Sequence, residues 1–227
     1  MIAYGTMALF SAIAVLGGSG HQGRGLAQRL TLAGERVIVG SRDPERARAT
    51  VAGWSASARA ADVTTNADAV ARADVTILAV PFPGVAALVA EVAEQFTTDT
   101  LVIDVTVPVS FSGGQMTMAD VAEGSAAQHV RARLPAHVSL AGTFKTIPAH
   151  LLDDLDRPLD CDEFVCGDSD RARTQASELI RLLPGLRPID VGGLSRAASI
   201  EHATALAIAI NRRHKIHEAR FRVVGIP

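Results

Sequence analysis

The sequence predicts an α/β fold built on a doubly wound parallel sheet, and three observations carry the prediction. The apolar run Ile13-Ala14-Val15-Leu16 enters a glycine cluster, Gly17-Gly18-Ser19-Gly20-His21-Gln22-Gly23, which leads into a segment of helical composition. A second apolar run, Val37 to Gly40, follows at the spacing of the next parallel strand. Strand and helix signals then alternate along most of the chain, as βα repeats require. A strand that is apolar at every position is buried on both faces, the pattern of a parallel sheet covered by helices on each side.

Gly18, Gly20 and Gly23 fit G-x-G-x-x-G between the first strand and helix. In that motif the first glycine makes a tight turn, the second admits a pyrophosphate to the backbone, and the third lets helix and strand pack closely. This is the dinucleotide turn of a Rossmann-type domain, and the N–H groups opening the helix suit an anion. Gly18, Ser19, Gly20, His21, Gln22 and Gly23 are therefore candidate cofactor contacts. The first helix carries Leu26, Leu30 and Ala33 on one side and stops at Gly34. The second strand ends in Ser41-Arg42, where an NAD site places an acid for the ribose 2′-hydroxyl. A hydroxyl and a guanidinium bind a 2′-phosphate instead, so NADP is the expected cofactor, with Arg46 as a second cation or a solvated charge.

Asp43-Pro44 opens the second helix as cap and first-turn proline. Asp62 to Thr65 is a short strand, Asn66 to Ala73 a helix, and Val75 to Val80 a fully apolar strand. The next helix places Val85, Leu88, Val89, Val92 and Phe96 on one face, and Leu101 to Val107 is the fifth strand. Ligands of such sheets sit beyond the carboxyl ends of the strands, so Val80-Pro81-Phe82 and Val107-Pro108-Val109 are expected to line the cleft. Val80 and Pro81 are assigned to the cofactor, and Phe82 and Val109 to a second substrate.

Ser110 to Met118 reads as loop, Ala119 to Leu134 as helix and His137 to Thr143 as strand. The acids Asp153, Asp154, Asp156, Asp160, Asp162 and Glu163 lack the spacing of a calcium loop and read as a solvated surface, so no metal is expected. Phe164 to Gly167, Ser169 to Leu183 and Leu186 to Val191 form a further strand, helix and strand. These predict a nucleotide-binding domain over 1–148 and a smaller C-terminal α/β lobe over 149–227 for substrate and dimerisation. A last helix, about Ser199 to Arg220, holds the run Ala203 to Ile210, apolar but for Thr204. Such a helix is expected to be buried between lobes or in a homodimer. Thr204 is a further candidate substrate contact. Arg212, Arg213, His214, Lys215 and His217 follow, either as a charged end complementing the helix dipole or as a seat for an anionic substrate tail.

The 227 residues, 48% hydrophobic, suffice for a sizeable core. A net charge of −2 and 4% aromatic content argue against nucleic-acid or anionic-membrane partners and leave small molecules. The apolar stretch Met7 to Leu16 has no basic residue before it and runs straight into the glycine turn, so it reads as an N-terminal extension and first strand rather than a signal peptide. A cytoplasmic location is expected. Cys161 and Cys166, spaced C-x4-C, are expected to be reduced thiols.

Several motifs together resemble the F420-dependent NADP reductase family. They are Leu16 to Gly25, Val39 to Arg42, Val80 to Phe82, Thr146 to Ala149, Cys166 to Asp168, Gly185 to Pro188 and Asn211 to Lys215, so the resemblance runs from about Ile13 to the C-terminus. It implies hydride transfer between C5 of the deazaflavin F420, as co-substrate, and C4 of NADP. The two coenzymes supply that chemistry, and the protein aligns their rings and excludes water. By the match, Ser19 to Gln22, Ser41, Arg42, Arg46 and Ala149 are NADP positions, while Lys145, Ile147 and Pro148 lie near the stacked rings. Lys145 stands where the family often has His or Asn, and is a candidate catalytic or substrate-binding cation. Two alternatives remain: an NADPH-dependent reductase of a small carbonyl, imine or pterin with Lys145 as proton donor, and a non-catalytic NADP-binding redox sensor.

Overall fold

A computed structural model describes residues 8–60, 62–112 and 115–226. Residues 1–7 of the expected N-terminal extension lie outside the described residues. The elements run β1 (Ile13–Leu16), α1 (His21–Leu32), β2 (Val37–Ser41), α2 (Pro44–Ala52), β3 (Asp62–Thr65), α3 (Asn66–Ala71), β4 (Val75–Leu78), α4 (Phe82–Val92), β5 (Leu101–Asp104), β6 (Val109–Ser112), β7 (Gln115–Met118), α5 (Ala126–Arg131), β8 (Ser139–Gly142), α6 (Ala149–Asp153), β9 (Cys161–Gly167), α7 (Asp170–Arg181), β10 (Leu186–Gly193) and α8 (Ala197–His214).

Eight strands form one sheet in the order β10-β9-β8-β5-β4-β1-β2-β3. Every pairing is parallel except β8 with β9. The chain reverses direction outward from β1, so the crevice between β1 and β4 is the switch point at which such sheets bind ligands. The apolar run of β1 works as its composition dictates. Ile13 and Val15 face a core with α1, α2, α6 and α7, whereas Ala14 and Leu16 face a second core with α3, α4 and α5. On α4, Val85, Leu88, Val89 and Val92 are buried, each contributing about 1.5–3 kcal/mol through the water its side chain leaves.

The C-terminal strand-helix-strand unit is present as β9, α7 and β10, but these strands extend the main sheet instead of forming one of their own. Three other expectations change. Residues read as loop after Val109 form the β6–β7 hairpin, with Ser110 facing Thr117 and Phe111 facing Met116. The helix expected over 119–134 begins only at Ala126, because Gly124 turns through φ +97° and Ser125 caps the helix on the Gln128 amide. The last helix stops at His214, where Lys215 takes the left-handed conformation. Its apolar run is not enclosed within the chain, since Ala207 is buried but Leu206 is 54% exposed.

The acids read as surface are also redistributed. Asp153, Asp154 and Asp160 pair with Arg24, Arg157 and Arg222. Asp162 and Glu163, on opposite faces of β9, are buried. Asp162 accepts a bidentate pair of bonds from Arg187 at 2.8 Å each, which holds its pKa below the ordinary carboxylate range. Cys161 and Cys166 are free and buried, and burial raises their pKa values to about 12 and about 11. No helix among the described residues is long and apolar enough to cross a membrane.

Candidate active site

The cleft begins where β1 delivers the chain into α1. Gly17 makes the tight turn with φ +84°, one residue before the motif's first glycine. A Cβ on Gly23 would lie 2.4 Å from the Gly17 carbonyl oxygen, so only glycine lets α1 start this close to the turn. Gly18 lies against Val39, whose methyls would meet its Cβ at 3.1 Å. Side chains cap α2, α3, α5 and α7 at Asp43, Thr65, Ser125 and Ser169. At α1 the cap is Gly20, without a side-chain bond and without an acid in the first turn. Its leading N–H groups face the cleft as anion donors.

Two cavities share Gly20, Ala79, Val80 and Pro81 and make one cleft across the switch point. One, of about 530 Å³, is bounded by Ser19, Ser41, Arg42, Asn66, Gly84 and Glu91. The Asn66 amide donates to Glu91 at 3.1 Å along its wall. The other, of about 540 Å³, is mainly apolar and holds His21, Gln22, Phe82, Val109, Lys145, Ile147, Pro148, Ala149 and Thr204. Of the residues expected in the cleft, Gly18, Gly23, Arg46 and Pro108 do not line either cavity. The first two shape the turn, and Arg46, on α2, is exposed. The sequence reading missed Asn66 and Glu91, and also Val105, Thr106, Ala207, Ile208, Asn211 and Ala219 of the apolar cavity. They come from elements that meet only in the folded chain, and although Asn211 stands in the motif Asn211 to Lys215, no local pattern gave it or the others a place in the cleft.

A strap, residues 144–148, forms one wall of the apolar cavity and is tied at nearly every residue. Phe144 is fully buried with φ 54°, and its carbonyl accepts the Gln22 amide at 2.5 Å, joining strap to glycine turn. Behind the strap, Glu163 accepts the Lys145 backbone N–H at 3.0 Å and the Thr146 hydroxyl at 2.7 Å. Burial raises Glu163 to a pKa of about 7 against the opposing pull of those bonds. The Thr204 hydroxyl donates to the Lys145 carbonyl at 2.9 Å.

The Lys145 ammonium does not point at a substrate position with free donors. It donates to Asp104 at 2.6 Å and to the Thr106 carbonyl at 2.5 Å, and it lies 3.3 Å from Glu201. All three charged side chains are essentially inaccessible to water. Burial alone would lower the lysine pKa, but the charges of Asp104 and Glu201 outweigh it and hold it above the ordinary value. Glu201 also accepts the Ala126 and Ala127 N–H groups at the start of α5, at 3.0 and 3.3 Å. The expectation of a lysine offering its ammonium to a substrate thus gives way to a buried ionic tie between β5, the strap and α8.

Comparison with known proteins agrees with this architecture. A family model described as "NADP oxidoreductase coenzyme F420-dependent" matches residues 12–108. The F420-dependent NADP reductase of Methanothermobacter thermautotrophicus is 38% identical over 222 residues, covering 95% of both chains. That of Methanothermobacter marburgensis is 40% identical over 222 residues, covering 95% of this chain and 99% of the relative. A solved structure assigned as an F420-dependent NADP-reductase from Arthrobacter sp. FB24 superposes with a TM-score of 0.80 at 26% identity, covering 93% of this chain and 98% of that one. With a relative this similar along nearly its whole length, and a glycine turn opening on a two-part cleft, the chain belongs to the F420-dependent NADP reductase family.

Proposed function

We propose that this protein is an oxidoreductase that catalyses hydride transfer between NADP(H) and the deazaflavin coenzyme F420. The observation that carries the reading is the two-part cleft, lined by Gly20, Ser19, Ser41 and Arg42 at one end and mainly apolar at the other, in a chain of this family. When bound, the coenzymes supply the hydride donor and acceptor carbons, and the side chains position them.

The uncapped start of α1, Ser19 to Gln22, holds the pyrophosphate. Ser41 and Arg42 take the 2′-phosphate, with charge-assisted bonds that NADH cannot make. Val80, Pro81 and Ala149 flank the nicotinamide, and Phe82, Val109, Ile147, Pro148 and Thr204 enclose the second ring. Excluding water from this apolar end protects the hydride and fixes the approach of the two rings. Lys145 acts as a positioning residue that holds the strap. With its donors engaged, it is a poor proton donor, which disfavours a carbonyl, imine or pterin reductase built on that lysine. We extend the reading to a cytoplasmic homodimer in which the exposed Leu206 face of α8 is covered. Light scattering that finds one chain per particle at micromolar concentration would refute the dimer.

Mixing the purified protein with NADPH and oxidised F420 tests the activity. The deazaflavin absorbance should fall only when both are present. NADPH binding without any loss of that absorbance would overturn the reading.

A further inference from the structure

A third cleft, of about 420 Å³, opens beside the apolar cavity and shares Ile208 and Asn211 of α8 with it. We propose that it is an anion-binding subsite that receives the phosphate and carboxylate groups on the tail of the deazaflavin substrate, through Arg212, Lys215 and His217. The proposal rests on the F420 reading above and names the part of the substrate that the ring cavity leaves outside.

Three observations support it. First, the two walls shared with the ring cavity are adjacent turns of one helix, so a chain leaving the ring runs directly into the cleft. Secondly, the lining joins apolar surface to positive charge. Phe111 and Ile216 are 63% and 44% exposed, and among the described residues Arg212, Lys215 and His217 make no ion pair. A helix dipole is complemented by the basic last turn, Arg212 to His214, whereas Lys215 and His217 lie beyond it and still line the cleft. Thirdly, Lys215 takes φ 54° at the position after the helix, where glycine is the comfortable residue. An ammonium kept at a strained position, on a wall of the cleft, points to a role for the side chain. The segment that carries it is anchored: the Ile216 N–H bonds the Asn211 carbonyl at 3.0 Å, and the Ala219 N–H bonds the Asn211 side chain at 2.9 Å. The backbone that carries Lys215 and His217 is therefore held in a fixed place beside the ring cavity.

The test compares oxidised F420 with the same deazaflavin lacking its phosphate and carboxylate tail, using wild-type protein and the double variant Arg212→Ala/Lys215→Gly. Lys215→Gly relieves the left-handed strain, so the variant should not unfold earlier than wild type. The variant should raise the KM for F420 about tenfold or more, with kcat, the KM for the tail-less compound and the KM for NADPH within about twofold. Added salt should raise the wild-type KM for F420 and move the variant's much less. Equal effects on both deazaflavins, or on neither, would overturn the subsite while leaving the F420 reading intact. A wild-type protein that reduces neither deazaflavin would overturn that reading and the subsite with it.

Discussion

Replacing Lys145 by methionine separates a reacting ammonium from a buried tie. The substitution keeps an unbranched side chain but removes the charge that Asp104 holds at 2.6 Å and Glu201 at 3.3 Å, leaving two carboxylates out of reach of water. Breaking a buried ion pair by deleting one partner costs about 3–5 kcal/mol. In a chain of this size each kcal/mol lowers the melting temperature by about 2–4 °C, so the variant should melt roughly 6–20 °C below wild type. Because the folded lysine pKa lies above its ordinary 10.5, this stabilisation is complete below that value and is lost only as pH rises through the folded one. The deficit should therefore be fully present at neutral pH. Adding Glu201→Gln to the variant should recover part of it by removing one stranded charge. Calorimetry of the three proteins measures these differences. A melting temperature within about 3 °C of wild type, together with a hundredfold loss of turnover, would refute the reasoning and return the ammonium to the substrate.

Three further outcomes follow from the same geometry. Arg42→Ala should erase most of a preference for NADPH over NADH, since one guanidinium–phosphate contact contributes about 1.5–3 kcal/mol, or about tenfold to 150-fold in affinity; equal binding of both nucleotides by wild type, in a fluorescence titration, would contradict the assignment. Gly23→Ala should weaken NADPH binding by on the order of tenfold or more, because the new Cβ meets the Gly17 carbonyl at 2.4 Å, whereas Gly53→Ala, with its nearest contact at 3.4 Å, should leave it unchanged. Glu163 has a folded pKa of about 7 against an ordinary 4.5, so its contribution to stability is greatest below the lower value and is lost as pH rises through the higher. Urea unfolding of Glu163→Gln should shift relative to wild type by about 3 kcal/mol in the variant's favour between pH 4 and pH 8, and a constant offset would disprove it.

The glycine turn, the Ser41-Arg42 strand end and the two-faced β1 were legible because each depends on neighbours a few residues away. Even there the resolution was one residue short, since nothing local distinguishes Gly17 from Gly18 as the left-handed position. Lys145 was legible as a wall of the site but not as an ionic tie, because its partners lie 41 and 56 positions away on β5 and α8. Glu163 looked like one of a run of surface acids. Its burial comes with the strap that packs against β9 and bonds it through the Lys145 N–H and the Thr146 hydroxyl, 18 and 17 positions away, a contact that no periodicity within the strand announces. The β6–β7 hairpin was hidden for a related reason: its residues pair only with each other, and serines and glycines among them read as breakers.

The unbroken sheet from β3 to β10 has a kinetic corollary. Enzymes that seat a nucleotide and a second ligand between separate lobes can dry the reaction centre by swinging one lobe over the other. Here the strap is fastened to the glycine turn, to β9 and to α8, and the eight strands of the main sheet are hydrogen-bonded in one series from β3 to β10, so the nucleotide and ring ends of the cleft do not sit on separate lobes that could swing together. Expulsion of water then falls to the ligands, and the second flat ring to arrive serves as the gate. Commitment to reaction is set by that ring's residence time, and viscosity should slow turnover through ligand escape rather than through movement of the protein.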